Sequence, residues 1–501
     1  MGKRIVFCLL VLIMTFSNFG VSKVEASART MDWSVVIYYQ NVGENATPVT
    51  VKIFPENEEA SIDYDPGYVL EPGGSGSFFA GNIGEISKGF RGNAVLLASE
   101  PITATMMFLQ SDPPKKLRMF SNGFSSSDGS NQFLIATTLA NRWDRTTIIS
   151  IQNLESESIT VNLKFFDADI GVFASEIEHI IPANSSKYIE MDSQTDTGIT
   201  SPIFNGSLII DASKTEGGGS ANVVASANEL YTDRDVGASF GGLPLSRASN
   251  KIYLSTALCK AYGLDTYYAV QNTSYTESAT FIVEYFGTNG FKRTVDGPYT
   301  IGPGQKKSIE TCSPSSGAYM GGFTGSAIIQ TTDPSSRLVA LGKAQTQRSN
   351  PSYTYHLFTI FNGESQGYSK IGFPYVRWAN TTRFEASSNM GTYQRTYFAI
   401  QNLESTTSKV NLFYYDKDGG LVSTHELTIS ANSKANSDAK VAGALGKNGM
   451  NNGEFGYYSD GSSGGSVILQ AHPDNPTAQF TAILRVQHPG WGEDYNGIGI
   501  N

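Results

Sequence analysis

Charge is the first thing this sequence is short of: charged side chains make up 16% of its 501 residues, against about 25% in ordinary soluble domains. The deficit is lopsided, with 46 acidic against 36 basic residues and a net charge of -10. No basic run interrupts the chain, so a groove that works by neutralising phosphates has no footing, and nucleic acid is set aside as a partner. Histidine is scarce as well. His179, His356, His425, His472 and His488 are scattered without paired spacing, so neither a zinc site nor a serine triad is encoded locally. Gly461-Ser462-Ser463-Gly464-Gly465 fits the G-x-S-x-G pattern, but a nucleophile elbow needs a helix after the serine, and a strand follows here. Asp167 with Asp169, and Asp416 with Asp418, lack the twelve-residue loop and closing glutamate of a calcium hand. Catalytic and metal residues are therefore set at none, and so are cofactors.

Cysteine and long apolar runs are the other two shortages. Of three cysteines, Cys8 lies near the N-terminus, while Cys259 and Cys312 fall in one stretch of sequence. They are either a disulfide that constrains the unfolded chain or two separately buried small side chains. Only the run 5–16, after Lys3 and Arg4, is strongly apolar, and it is shorter than the roughly 20 residues a spanning helix needs. With Val24-Glu25-Ala26 supplying small residues at the cleavage positions, residues 1–26 read as a secretory signal peptide. No membrane span follows. The product is expected to be secreted, extracellular or associated with the cell surface.

What the chain has in plenty is glycine (51), tyrosine (25) and phenylalanine (28), a balance that favours sheet over helix. A Gln-Asn pair closes an apolar-aromatic run four times, at Gln40-Asn41, Gln152-Asn153, Gln271-Asn272 and Gln401-Asn402. Other features travel with it. Nine residues past the Gln, period-two alternation marks a half-buried strand at Val49-Thr50-Val51, Val161-Asn162-Leu163 and Val410-Asn411-Leu412, and one residue later at Phe281, Val283 and Tyr285. An Asp/Gly/Asn turn follows in the last three repeats. Then comes a corner, Leu70-Glu71-Pro72-Gly73, Ile180-Ile181-Pro182-Ala183, Ile301-Gly302-Pro303-Gly304 or Ile429-Ser430-Ala431-Asn432, and finally a strand led by Gly92, Gly206, Gly325 or Gly465. Four features in one order, four times, define repeats of about 110 to 130 residues, large enough to close a core each, as shorter solenoid repeats are not.

Short strands with turn signals at this spacing predict an all-β chain of antiparallel sandwiches. The domains are set at 27–120, 131–245, 250–348 and 369–487, after the signal 1–26 and before a Gly/aromatic tail, 488–501. Before repeats two, three and four an extra apolar segment reads as the first strand of its unit; repeat one lacks it. The strand ending in Gln-Asn, the Asp/Gly hairpin, the Pro-Gly corner and the Phe323-Thr324-Gly325-Ser326-Ala327 strand together resemble the tandem Ig-like β-sandwich repeats of secreted bacterial cell-surface proteins. The resemblance implies an extracellular, non-catalytic module and brings no active-site motif with it.

Each recurring Asn is expected to cap the turn after its strand through its own backbone two residues on, while the Gln finishes the strand. The alternative is a row of outward carboxamides meeting a sugar. Each repeat glycine is expected to supply a positive φ or let a neighbouring backbone approach closely. Alternation puts Val410, Leu412 and Tyr414 on one face and Phe413 and Tyr415 on the other, so these two are the candidate ligand-facing aromatics. The function expected is a structural or adhesive protein of the cell surface or matrix, built as a multi-domain spacer. The alternative is an array of carbohydrate-binding modules. Cell-surface or matrix components are the expected partners, with glycans or further copies of the chain among them.

Overall fold

Alternating apolar residues in short runs, broken by turns rich in Gly, Asn and Asp, leave the chain little choice but sheet. The computed structural model describes residues 9–13, 33–87, 89–110, 117–233, 236–346, 357–386, 392–443, 447–489 and 491–500; the cleavage motif at 24–26 and Cys8 lie outside them. The first repeat comprises β1 (Leu9–Ile13), β2 (Trp33–Asn41), β3 (Thr47–Pro55), β4 (Ile62–Tyr64), β5 (Val69–Leu70), β6 (Ser75–Phe79), β7 (Arg91–Ala98), β8 (Ile102–Gln110) and β9 (Arg118–Asn122). The second has β10 (Gln132–Ala140), β11 (Arg145–Asn153), β12 (Ile159–Asp167), β13 (Val172–Ile181), β14 (Ser186–Glu190), β15 (Phe204–Lys214), β16 (Val223–Tyr231), β17 (Gly237–Gly241) and β18 (Leu243–Pro244). The third has β19 (Lys251–Cys259), β20 (Leu264–Asn272), β21 (Ala279–Gly287), β22 (Lys292–Ile301), β23 (Lys306–Glu310), β24 (Phe323–Thr331), β25 (Leu338–Thr346) and β26 (Phe358–Asn362). The fourth has β27 (Lys370–Phe373), β28 (Arg395–Asn402), β29 (Ser408–Asp416), β30 (Leu421–Ile429), β31 (Lys434–Asp438), β32 (Gly465–Ala471), β33 (Phe480–His488), β34 (Trp491–Asn496) and β35 (Ile498–Gly499).

All pairings are antiparallel, and each repeat contributes two sheets. One, the Gln sheet, carries the Gln-Asn strand: β6-β2-β8-β9, β14-β11-β16-β17, β23-β20-β25-β26 and β31-β28-β33-β34. The other, the Gly sheet, carries the Gly-led strand: β1-β7-β3-β4 with β5 on β3, β13-β12-β15-β10-β18, β22-β21-β24-β19 and β30-β29-β32-β27-β35. The two inner faces of a repeat share a core, as Val35, Ile37 and Tyr39 do with Val49, Val51, Ile53 and Leu96.

Three boundaries differ from those read in the sequence. The residues 488–501 are not a tail: β34 pairs with β33 from Ile483↔Asn496 to His488↔Trp491, and β35 pairs with β27. The third unit does not end at 348, because β26 completes its Gln sheet, and the first runs past 120 to the end of β9. Each of these last strands sits in a Gly-, Ser- or Asn-rich stretch, which masks it as a linker.

Nor do the units extend end to end as a spacer. The last strands form a closed circuit at the centre: β9 lies against β17, β17 against β26, β26 against β34, and β34 against β9. Each core runs into its neighbour. Tyr188 and Leu230 of the second unit join the core of the first, Leu341 and Ile360 of the third join the second, Ile483 of the fourth joins the third, and Met107 and Phe120 of the first join the fourth.

The repeat glycines fit close approach and not a positive φ at Gly92, Gly206 and Gly325. A Cβ there would stand 2.3, 2.2 and 2.0 Å from the carbonyl oxygens of Phe54, Phe166 and Phe286. At Gly465 the nearest atom would be in the Phe455 ring, at 2.9 Å. A backbone oxygen cannot move aside as a ring can. Gly325→Ala is therefore expected to destabilise the protein by about 1 to 3 kcal/mol, read in thermal unfolding curves.

Candidate functional site

The Gln-Asn pairs come first, because the sequence singles them out. All eight side chains are buried, so no row of carboxamides faces solvent. Each Asn Oδ1 accepts from the backbone N–H two residues on: Gly43 at 2.9 Å, Glu155 at 2.8 Å, Ser274 at 3.1 Å and Glu404 at 3.0 Å. Each Nδ2 donates across the same turn, to Asn45, Glu157, Glu277 and Thr406 oxygens at 2.7–2.8 Å. It also donates to the Pro-Gly corner, at Leu70, Pro182, Gly302 and Ile429 oxygens. One side chain thus ties strand end, turn and corner together.

The Gln does more than finish a strand. Its side chain leaves its own core and enters the junction with the unit before it. Gln40 Nε2 donates to Ser466 Oγ at 3.0 Å, Gln271 Nε2 to the Leu208 oxygen at 3.2 Å, and Gln401 Nε2 to the Asn432 and Ala327 oxygens at 3.4 and 3.5 Å. Gln152 Nε2 stays within its own unit, at the Asn184 oxygen, 3.4 Å away. The residue after each repeat glycine completes the pattern. Asn93, Ser207, Ser326 and Ser466 donate to the oxygens of Asn184, Gly304, Asn432 and Gly73, each in the next unit round the circuit, at 3.4, 2.7, 2.9 and 2.7 Å. At the centre Asn122 donates to the Asn496 oxygen, Asn496 to Asn362 and Asn362 to Gly241, at 2.7, 2.9 and 3.0 Å. Gly241 has no side chain to continue the chain of bonds.

Two of the junctions bury ion pairs, and at the junction of the fourth and first units Arg377 is buried with its guanidinium 6.0 Å from the Tyr38 ring centre. Between the second and third units, Glu229 meets Arg145 at 2.7 Å and Lys343 at 2.6 Å. Burial opposes its charge, but the two cations hold its carboxyl below the usual range. Lys306, beside them and bonded to Thr137 Oγ1 at 3.3 Å, is driven down to about 7 by burial and by Lys343. Between the third and fourth units, Arg485 grips Asp494 with two bonds of 2.7 Å, and Thr359 Oγ1 donates to the same carboxylate. Lys434 is bonded to Thr256 Oγ1 at 2.9 Å and pushed down to about 7 by burial and by Arg485.

A cleft of about 740 Å³ opens at this second junction, a size suited to a small ligand. Tyr262, Leu357, Phe384, Tyr397 and Trp491 line its walls, and Lys434, Asn436, Arg485 and Gln487 supply polar groups. Tyr262 is 74% exposed, so one wall is an open aromatic face. The signal missed in the sequence was Trp491, which sits in the stretch read as a tail.

The two candidate ligand-facing aromatics are elsewhere. Val410, Leu412 and Tyr414 are buried as the alternation requires, and Phe413 and Tyr415 are half-buried on the opposite face. Tyr415 is covered by the first unit: a Cβ on Gly73 would stand 2.4 Å from its ring. Phe413 lines an opening of about 960 Å³ between the first and fourth units, with Val42 and Pro473. The two rings form no shared platform, because closure of the circuit lays the first unit over this sheet. Cys259 and Cys312 are joined in a disulfide, so the cluster they form with Asp265 offers no free thiolate to a metal. His472 contacts Glu426 and Asp474, and His488 contacts Glu493.

No protein-family model matches this chain, and no curated protein matches it. Among solved structures, the Thermotoga maritima protein 1070 is similar to 25% of this chain and over 94% of its own length, with 11% identity and a TM-score of 0.19. The α-L-rhamnosidase of Streptomyces avermitilis, solved with L-rhamnose, aligns with 87% of this chain and 54% of its own length at 6% identity and a TM-score of 0.13. The viral chemokine-binding protein R17 of a rodent gammaherpesvirus gives 9% identity and a TM-score of 0.12, over 76% of this chain and 88% of its own. Likenesses of this size assign no function.

Two measurements test the site. Asn402→Ala strands the backbone groups it serves and is expected to cost about 2 kcal/mol or more, read by denaturant unfolding. Lys434 carries a folded pKa near 7, below the unfolded lysine value. The unfolded chain therefore binds more protons between about pH 7 and 10, and this lysine's destabilising contribution, complete below pH 7, is relieved as pH rises. Lys434→Met is expected to raise the melting temperature at pH 6–7 and to flatten its rise toward pH 10.

Proposed function

We propose that the chain is a secreted, non-catalytic structural or adhesive protein of the cell surface or extracellular matrix. It is built from four Ig-like antiparallel β-sandwich domains that follow a signal peptide cleaved after Ala26. The repeats serve as a closed ring that presents its outer loops, not as an extended spacer. The observation that carries this reading is the use of the buried polar residues: Gln40, Gln271, Gln401 and the Ser or Asn after each repeat glycine all reach across to a neighbouring unit. A protein that invests its buried polar groups in rigid closure gains a fixed arrangement of repeated surfaces, and repeated surfaces raise avidity for repetitive partners. Cell-surface and matrix components, including glycans and further copies of the chain, are partners of that kind.

A second reading, carbohydrate binding, is favoured by the cleft between the third and fourth units, whose aromatic walls and polar groups suit a sugar's apolar faces and hydroxyls. It moves the sugar site away from Phe413 and Tyr415. The two readings separate in one experiment: purified protein is incubated with whole cells, envelope preparations and a glycan array. The structural reading expects sedimentation with cells or envelopes, unchanged in the Tyr397→Ala, Trp491→Ala double variant. Loss of both glycan and cell binding in that variant, with its melting temperature retained, would replace the first reading by the second.

A further inference from the structure

Without residues 1–26, unit one is short of a strand that units two, three and four possess. In those units the leading strands β10, β19 and β27 pair with the Gly-led strands β15, β24 and β32. Their other edge is covered by the segment that follows the last strand of the same unit: β18 on β10, Glu364 on Tyr253, β35 on β27. Leading strands are apolar on both sides, since they face their own core and also lie against the next unit: β10 touches β20 and β25, and β19 touches β28 and β33. Phe133–Ala140 is accordingly buried at every position.

In unit one the place beside β7 is taken by β1, in the register Leu9↔Val95 to Ile13↔Arg91. Those five residues lie inside the apolar core of the signal sequence. Cleavage after Ala26 would remove them and leave only Ser27 to Asp32 ahead of β2, which starts at Trp33. Four residues join the leading strand to the next one in units two and three, 141–144 and 260–263. Two residues would then remain to pair with β7, too few for a strand.

Resting on the export and cleavage proposed above, we propose that the processed chain is a strand acceptor. The open edge of β7, Arg91–Ala98, takes up an extended apolar segment of another polypeptide, antiparallel to β7 and in the place of Leu9–Ile13. An unpaired edge over a buried core is a template for strand addition, with backbone bonds giving affinity and alternate side-chain positions giving specificity. The donor is a different protein and not a second copy. The apolar strands of the processed chain already belong to sheets, and its longer connecting segments, such as 111–116 (Ser-Asp-Pro-Pro-Lys-Lys) and 347–356, are polar in sequence.

The test uses protein of residues 27–501 and a labelled synthetic peptide of residues 5–16 with Cys8→Ser and terminal lysines for solubility. Saturable binding by fluorescence anisotropy is expected, with β7 amide exchange slowed at least tenfold on binding. A peptide carrying Val11→Pro, which removes a donor from the centre of the strand, should bind at least tenfold more weakly. A Leu9→Cys peptide should form a disulfide with Val95→Cys protein and not with Leu96→Cys. If the cysteine variants fail to fold, exchange on the unsubstituted protein decides. β7 amides as protected without peptide as those of β24, or equal binding of the proline peptide, would overturn the acceptor edge. N-terminal sequencing of exported protein separates the two proposals: Ser27 as first residue with no peptide binding sinks the acceptor alone, whereas retention of residues 1–26 sinks the processing and removes the need for a donor.

Discussion

The whole arrangement rests on one constraint: the Gln sheets of units three, four and one turn apolar surface outward, and the leading strands β10, β19 and β27 of their neighbours lie against it. Burial of such a face is favourable by roughly 25 cal/mol for each Å² of apolar surface removed, so each unit is driven against the next. With four units the covering is complete only if the last also meets the first. It does, through Met107 and Phe120 of unit one, which pack with Tyr375 and Tyr495 of unit four. Apolar burial has no direction of its own, and the polar atoms supply it. The Asn or Ser after each repeat glycine, and Gln40, find these partners only across a junction, and Gln271 and Gln401 add a bond across theirs to one within their own unit.

The repeat glycine takes its meaning from the same constraint. At Gly92, Gly206 and Gly325 the absent side chain lets the neighbouring strand's carbonyl come within 2.0–2.3 Å of where a Cβ would be, and the next residue then reaches across the junction. Local sheet geometry and long-range closure are set by adjacent residues. A change at the glycine is felt in the sheet, and a change one position later in the ring.

Much of this was legible in the sequence. Alternation at Val161, Leu163 and Phe165 needs only period two to be read, and the Asn caps follow from local bonding that any turn Asn can make. The register of four repeats was visible because each carries the same four devices in order. What escaped reading depended on partners far away in sequence. Trp491–Asn496 contains Glu493 and Asp494, which look like solvated residues of a tail until Arg485 and His488 are seen beside them. The strands β9, β17 and β26 run into Asn or Gly, residues that normally announce a loop. The Gln side chains looked like strand ends because the partners they reach in other units lie 63, 74 and 426 residues away in sequence.

The four junctions are built alike but not charged alike, and the difference shows where function has room to act. Position for position along the Gln sheets, Lys343 and Arg485 of the third and fourth units stand where Asn228 and Met107 stand in the second and first. Lys306 and Lys434 likewise stand where Ser186 and Ser75 do. A ring held together by apolar burial alone would gain nothing from these cations, because burying a charge costs more than burying a methionine of similar size. Glu229 and Asp494 offset part of that cost for Lys343 and Arg485. Lys306 and Lys434 have only hydroxyl hydrogen bonds, to Thr137 and Thr256. Lys434 lines the cleft with Tyr262, Tyr397 and Trp491, so this destabilising cation stands at an opening of ligand size. At the junction between the fourth and first units the buried cation is Arg377, and it lies over aromatic rings instead, Tyr375 at 4.5 Å and Tyr38 at 6.0 Å.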